Sequence, residues 1–490
     1  MTRDKADLLE ENNLSIPAAP ENAAPPEDLE DLALGDDYAL NPAYVDMVID
    51  AADRGDAERL RELVGALRSE DVADLMGFLN ADYREEIIPC LDSETLAEVL
   101  SELDDNLREE VLETVHPTAL ARALEELDSD DAADVIDDLE GEKRAQVLAA
   151  MDETDRAAVE ASLAYDDETA GRLMQREVLA APQFWTVGQT IDHVRQAGDE
   201  LPELFFDIYI VDPAYRPIGA APISQLLRAK RETTLAEIME PVTEITVDMD
   251  QEEVAYIFDK YHLISAPVID PGGRLVGQIT VDDIIGVIQE ESEEDILALA
   301  GVSDAGRDAG IIDIVRARLP WLMLNLLTAT LAVSGVALFQ EQIAKVVALA
   351  VLMPIVSSLG GNAGTQTLAV AVRALASREL SAANAQRIVL RELAVGLTNG
   401  LSLAAVMGVA VFSVYQLLDH DTATNGRLAI TVALALVVNI FTAALGGIFA
   451  PLLLERMGRD PAVSSSIFVT FLTDFTGFFA VLLIASLLFA

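Results

Sequence analysis

VVALAVLMPIVSSLGGNAGTQTLAVAV, residues 346–372, contains no charged side chain. A helix needs about 20 mainly apolar residues to cross a hydrocarbon core about 30 Å thick, and this run is long enough. A merely buried helix of a soluble domain is shorter and shows a polar stripe. Charge-free runs recur at 319–340, 393–418 and 428–454, and a fifth run, 461–490, carries a single acid, Asp474. Residues 317–490 are therefore predicted to form an all-α polytopic membrane domain with five transmembrane helices.

An odd number of spans puts the two ends of the chain on opposite sides. Arg316 and Arg318 precede the first span, Arg373, Arg378, Arg387 and Arg391 lie between the second and third, and Arg456 and Arg459 lie between the fourth and fifth. The two other loops offer only Lys345 and Arg427. Basic loops stay on the cytoplasmic side, so the N-terminal part is expected in the cytoplasm and Ala490 outside.

Charge is distributed very unevenly. The chain has 84 Asp and Glu against 32 Lys and Arg, a net charge of -52. From Leu319 onward acids and bases balance, so the whole excess lies before the membrane. Such a surface repels nucleic acid and anionic headgroups and attracts cations, although an acid-rich solubility adaptation produces the same balance. Cys90 is the sole cysteine, which rules out an intrachain disulfide or a cysteine-based zinc site. Residues 1–48 are polar, acidic and rich in Pro and Ala; they read as a disordered tail rather than a signal peptide. With no P-loop motif, nucleotide hydrolysis is not expected, and the chain reads as no enzyme.

Within 49–167 a different order appears. Leu67, Leu79, Leu91, Leu103, Val115, Leu127, Leu139, Met151 and Leu163 recur every 12 residues, most with an apolar partner three or four earlier, such as Leu63, Leu75, Ile87, Leu100, Leu124 and Ile136. Asp92-Ser93, Asp104-Asp105, Asp128-Ser129 and Asp152 follow as N-cap candidates. The period predicts an all-α superhelix of two-turn helices, each burying one stripe against its neighbours.

Residues 168–289 switch to short β-branched strands alternating with helices. Ile208-Tyr209-Ile210-Val211-Asp212-Pro213 followed by Gly219 is echoed by Ala266-Pro267-Val268-Ile269-Asp270-Pro271 followed by Gly277. This α/β repeat resembles a tandem CBS pair, built from two β-α-β-β-α modules. That resemblance implies an adenine nucleotide such as ATP as a ligand, contacted by a helix-starting threonine and aspartate. Thr280 and Asp283 stand at that spacing, but the same two residues serve equally to cap the helix, and both readings remain open. The first copy, around Ser224, lacks both.

The connecting region 281–316 carries five acids in six residues, Glu290 to Asp295. Like charges at i,i+3 and i,i+4 repel along a helix. A solvated face is the plain explanation, but this segment is also the only covalent route to the membrane. In a dimer, divalent cations would relieve repulsion between two such helices, and loose carboxylate clusters suit low-affinity Mg²⁺.

Two polar intrusions mark the spans. Pro354 and the run Gly360-Gly361-Asn362-Ala363-Gly364-Thr365-Gln366 permit either close packing or unwinding, and Asn362 and Gln366 share a face suited to a pore lining. Asp474 lies deep in the fifth span near Thr470, Thr473 and Thr476. Inserting a central Asp costs about 2.5–3.5 kcal/mol even on the lower scale, so it should face water, a cation or a partner.

The order of acidic helical domain, CBS pair, acidic connector and five spans resembles the MgtE family of bacterial magnesium channels. The Gly360–Gln366 run matches, as does Asp460-Pro461-Ala462 leading to Asp474. The resemblance implies a homodimer in the bacterial inner membrane, with Mg²⁺ both transported and sensed. It implies pore contacts at Asp474, Asn362 and Asp460, with Ser466 where some members carry an amide. It implies regulatory Mg²⁺ contacts at Asp130, Asp134, Asp250, Glu252, Asp283, Glu291, Glu294 and Asp295, while Gly286 and His262 replace expected acids. A coupled transporter, a broader divalent path for Co²⁺ or Mn²⁺, and a non-conducting membrane-anchored sensor are the rival readings.

Overall fold

The computed structural model describes residues 29–35, 38–197, 201, 205–300, 302, 311–376, 385–418, 421–457 and 465–489. Backbone contacts divide the chain into two units, 1–165 with 174–178, and 166–173 with 179–490.

The first unit is a succession of short helices: α1 Leu29–Ala33, α2 Pro42–Asp53, α3 Ala57–Val64, α4 Ser69–Phe78, α5 Ala81–Ile87, α6 Ser93–Glu102, α7 Asp105–Thr114, α8 Pro117–Leu124, α9 Ser129–Asp137, α10 Gly141–Ala150 and α11 Glu153–Ser162. The expectation of a disordered tail over 1–48 is corrected where those residues are described: α1 and the start of α2 are helical, and Ala33, Leu40, Tyr44 and Val48 are buried in the core of this unit, because their apolar side chains cover the first helices. The 12-residue spacing marks helix ends. Leu79, Leu103, Val115, Met151 and Leu163 are the C-cap residues of α4, α6, α7, α10 and α11. Their partners Leu63, Leu75, Ile87, Leu100 and Ile136 are fully buried in one continuous core. Asp92 and Asp152 accept capping bonds from Thr95 N–H (2.9 Å) and Thr154 N–H (3.1 Å). Asp104 and Asp128 occupy N-cap positions without a side-chain capping bond. Asp128 instead accepts from the Gln175 amide at 2.9 Å, which ties the helix to the 174–178 segment of the same unit.

The second unit begins with α12 (Ala170–Leu173) and holds two matching α/β modules. The first runs β1 Ala180–Pro182, α13 Val187–Ala197, β2 Asp207–Val211, β3 Pro217–Pro222 and α14 Ile223–Arg228. After α15 (Leu235–Ile238) the second runs β4 Ile245–Thr246, α16 Gln251–Tyr261, β5 Ser265–Ile269, β6 Leu275–Thr280 and α17 Val281–Ala300. Each sheet has one parallel and one antiparallel pairing, in the orders β1-β2-β3 and β4-β5-β6. The copies share even their irregularities: Ile210 pairs with Gly219 and Val268 with Gly277, and the register shifts immediately after each pair. A hydrogen-bond chain joins them, with Tyr209 donating to the Ser265 hydroxyl and Ser265 to Asp207, both at 2.9 Å. Burial raises the Asp207 carboxyl above its ordinary range, Ser265 pulls it down, and Glu240 pushes it up again.

The membrane part comprises α18 Ile311–Val336, α19 Gln340–Lys345, α20 Ala348–Ala376, α21 Ala385–Leu418, α22 Thr422–Arg456 and α23 Ser465–Leu488. Five stretches are long and apolar enough to span a membrane: 314–345, 348–375, 386–418, 422–456 and 465–488. α22 is the central helix, packed against α20, α21 and α23. Its Val432, Leu436 and Ile440 meet Leu349, Leu352 and Val356 of α20 and Val481, Leu482 and Ala485 of α23 in a buried core. α20 remains helical through Pro354 and the glycine run, so of the two expectations for those glycines the structure has close packing and not unwinding.

Candidate functional site

Three long helices bring three polar side chains together at mid-span. Asp474 is half-buried on α23, with Oδ1 accepting a hydrogen bond from the Ser357 hydroxyl of α20. Ser357 is only 5% exposed. No basic side chain pairs with Asp474 among the described residues, so this hydroxyl is its one described hydrogen-bond donor. Asn439, at the centre of α22 and 0% exposed, donates through Nδ2 to the Val356 carbonyl at 2.8 Å. Its Oδ1 is buried without a hydrogen-bond partner, an arrangement that costs about 1–3 kcal/mol.

Glycine makes this meeting possible at two positions. A Cβ on Gly360 would lie 2.0 Å from Asn439 Nδ2, and one on Gly477 would lie 2.9 Å from the same atom and 3.2 Å from the Ser357 Cα. Neither clash can be relieved without moving the amide or a helix.

Of the other pore candidates, those described lie on the same helices α20 and α23. Asn362 and Gln366 are exposed on α20, one turn apart. Ser466 is half-buried two turns before Asp474, and its carbonyl accepts from Thr470 Oγ1 at 2.9 Å. Asp460 lies outside the described residues. Thr473, next to Asp474 in sequence, is fully buried and donates to the carbonyls of its own helix, Val469 and Thr470, at 3.0 Å each, so it offers no hydroxyl to a water-filled path.

Four of the regulatory acids form one neighbourhood in the second α/β module. Asp250 caps α16, accepting from Glu252 N–H at 3.0 Å. Gln251 donates from α16 to Glu291 on α17 at 2.9 Å. Burial raises the Glu291 carboxyl above its ordinary range, the Gln251 bond lowers it, and the charges of Glu252, Glu294 and Asp250 raise it. Asp295 is half-buried farther along α17. Asp130 and Asp134 belong to the first unit, on α9, the former buried and the latter exposed. Among the described residues no three acids, histidines or cysteines converge tightly enough to hold a metal by protein atoms alone.

Thr280 and Asp283 bond to each other. The Thr280 N–H and Oγ1 donate to Asp283 Oδ2 at 3.1 and 2.7 Å, which is the capping geometry at the start of α17. His262 closes α16 in a left-handed conformation (φ 53°), a place where a branched residue would be strained. Gly286 is exposed on α17 with nothing within 4 Å of an added Cβ, so the missing acid there reflects no steric limit. Within the expected connector 281–316, α17 runs to Ala300, residues 303–310 lie outside the described ones, and α18 begins at Ile311. The far end of α17 is apolar, and Ala298 and Leu299 pack against Leu368, Val372, Ala450 and Val469 of α20, α22 and α23.

Ser357 and Asn439 were not singled out by sequence. One amide in the apolar run 428–454 gives no sign of which carbonyl it meets 83 residues away.

The family model for "MgtE: Divalent cation transporter" matches residues 353–484, that for the "MgtE intracellular N domain" residues 45–168, and that for the CBS domain residues 235–290. The magnesium transporter MgtE of Thermus thermophilus is 36% identical over 338 residues, covering 68% of this chain and 72% of that protein. The magnesium transporter MgtE of Enterococcus faecalis is 33% identical over 330 residues, covering 67% and 71% respectively. A crystal structure of the cytosolic domain of the Mg²⁺ channel MgtE in complex with ATP is 34% identical with a TM-score of 0.48, and the match covers 50% of this chain and 99% of that one. With five apolar spans, a matching membrane segment and relatives of this identity over most of their length, the chain is a multi-pass membrane protein that belongs to the MgtE family of magnesium transporters.

Proposed function

We propose that the chain is a homodimeric Mg²⁺ path of the bacterial inner membrane, running down the electrochemical gradient and closed by cytoplasmic Mg²⁺. The observation that carries this reading is Asp474: a carboxylate at mid-span, without an ion-pair partner among the described residues, in a family of magnesium transporters. Mg²⁺ sheds water reluctantly, so Asp474 acts through the ion's hydration shell, with Asn362, Ser466 and Asp460 as further polar contacts along the path. Such a site discriminates by ion size and hydration, and Co²⁺ or Mn²⁺ then competes with Mg²⁺.

The proposed division of labour uses the bounds read from the sequence. Regions 49–167 and 168–289 sense, 281–316 transmits and 317–490 conducts. Sensing rests on the acids of α9 and on the Asp250, Glu252, Glu291 and Glu294 neighbourhood with Asp283 and Asp295. Their mutual repulsion falls when a divalent cation is present. α18 and α21 show long apolar exposed faces, including Leu322, Leu326, Leu401 and Val406, which lipid and a second copy cover. An adenine nucleotide at the CBS pair would have to replace the Thr280–Asp283 cap bonds with ribose contacts.

The deciding experiment is Mg²⁺ uptake by liposomes containing the purified chain, with internal Mg²⁺ varied. Uptake that falls as internal Mg²⁺ rises, and that Asp474→Ala abolishes in a correctly assembled protein, is the expected result. Normal uptake by Asp474→Ala removes the pore assignment, and no uptake by the parent chain favours a membrane-anchored sensor.

A further inference from the structure

We infer that Ser357 and Asn439 are positioning residues for the pore carboxylate, with Asn439 acting through Ser357; this rests on the reading of Asp474 as the cation site. The geometry forms a short relay across three helices. Asn439 reaches from the centre of α22 and donates to the Val356 carbonyl, which fixes that turn of α20. The next residue on α20 is Ser357, whose hydroxyl donates to Asp474 on α23. The direction of the amide is set chemically, since a carbonyl acceptor requires the NH₂ side of Asn439.

Two features mark the arrangement as specific. Gly360 and Gly477 supply the room, and a methyl group at either would displace the amide. The amide also tolerates an unpartnered Oδ1 in a fully buried position, where an apolar side chain of similar size would leave no polar atom unpaired. A half-buried carboxylate that lacks this hydroxyl can turn toward other rotamers, so the oxygens presented to a hydrated cation are no longer held in one place. The relay therefore acts on affinity and on discrimination among ions rather than on the existence of the path.

The test measures initial Mg²⁺ uptake by liposomes against external Mg²⁺, with and without competing Ca²⁺, for the full chain and five variants. Ser357→Ala and Asn439→Leu each raise the half-saturating Mg²⁺ concentration about ten- to a hundred-fold, the size expected for one hydrogen bond to a charged group, and both strengthen Ca²⁺ competition. Ser357→Thr, which keeps the hydroxyl, rescues both properties. The double variant is no worse than the worse single one, because the two residues act in series. Unchanged half-saturation and Ca²⁺ competition in Ser357→Ala, alongside a dead Asp474→Ala, overturns this inference and leaves the pore reading intact. A conducting Asp474→Ala overturns the reading beneath it. Additive effects in the double variant overturn the link from Asn439 through Ser357. If Asn439→Leu fails to assemble, Ser357→Ala against Ser357→Thr decides, since unchanged behaviour there overturns the inference alone.

Discussion

At the scale of single residues, the membrane site depends on what is missing as much as on what is present. Gly360 faces Asn439 so closely that Gly360→Ala places a methyl group 2.0 Å from Nδ2. The variant must give up the Asn439–Val356 bond or shift α20, and overpacking of this kind costs about 1–3 kcal/mol. Gly361→Ala is the natural control, because its nearest neighbour is Thr473 Oγ1 at 3.9 Å and mid-helix alanine is otherwise favoured by about 0.5–1 kcal/mol. Thermal unfolding in detergent should therefore show a lowered midpoint for Gly360→Ala and an unchanged or raised one for Gly361→Ala. The polar run around Asn362 and the intramembrane acid Asp474 were legible in sequence, since polar groups stand out against an apolar background. Which glycine faces which side chain was not, because that depends on the rotation of helices contributed by distant segments. Asn439 was illegible for the same reason, its partner being set by packing and not by local spacing.

At the scale of elements, the two α/β modules and the helical repeat were readable because each repeats a physical requirement. The 12-residue spacing records where helices such as α4, α6 and α10 end and bury an apolar side chain at the C-cap. The offset between Asp212-Pro213 and Asp270-Pro271 records two hairpins with the same register irregularity. The strands β1 and β4, of three and two residues, are too short to carry a pattern. α17 is the element on which charge and geometry meet. Glu291 is held above its ordinary protonation range chiefly by burial, so at neutral pH its ionised form opposes the folded arrangement. For a carboxyl raised on folding, stability is gained as pH falls through the folded-state value and is lost again as pH rises above it. Acidification from neutral pH should thus raise the melting midpoint of the cytoplasmic part, and Mg²⁺ should do the same without a pH change. Glu291→Gln should raise the midpoint at neutral pH and flatten both responses. A variant that keeps the parent's pH and Mg²⁺ dependence in calorimetry would show that Glu291 is not the group responsible.

At the scale of the whole molecule, the charge asymmetry separates the proposed sensor from the proposed conductor. All of the excess negative charge lies before Leu319, in the part expected on the cytoplasmic side. Deleting residues 1–280 removes most of the acids while leaving the acidic stretch of α17 and the five spans. Uptake by the shortened chain should then proceed at internal Mg²⁺ concentrations that silence the full chain; retained inhibition would place the sensor in the remaining residues. The five spans were legible because crossing hydrocarbon imposes a length and a composition that few soluble helices meet. The central place of α22 was not, since all five runs look alike as strings of apolar letters and only packing separates them.

α17 begins at the last strand of the second sheet, capped by Thr280 and Asp283, and its far end rests on three membrane helices at Ala298 and Leu299. No joint interrupts its 20 residues, so it works as a rigid lever about 30 Å long. A tilt of about 5° at the sheet moves the tip by about 2.5 Å, half the rise of one helical turn. On the proposed gating, a small angular change among carboxylates would thereby become a displacement of Leu299 against its apolar seat.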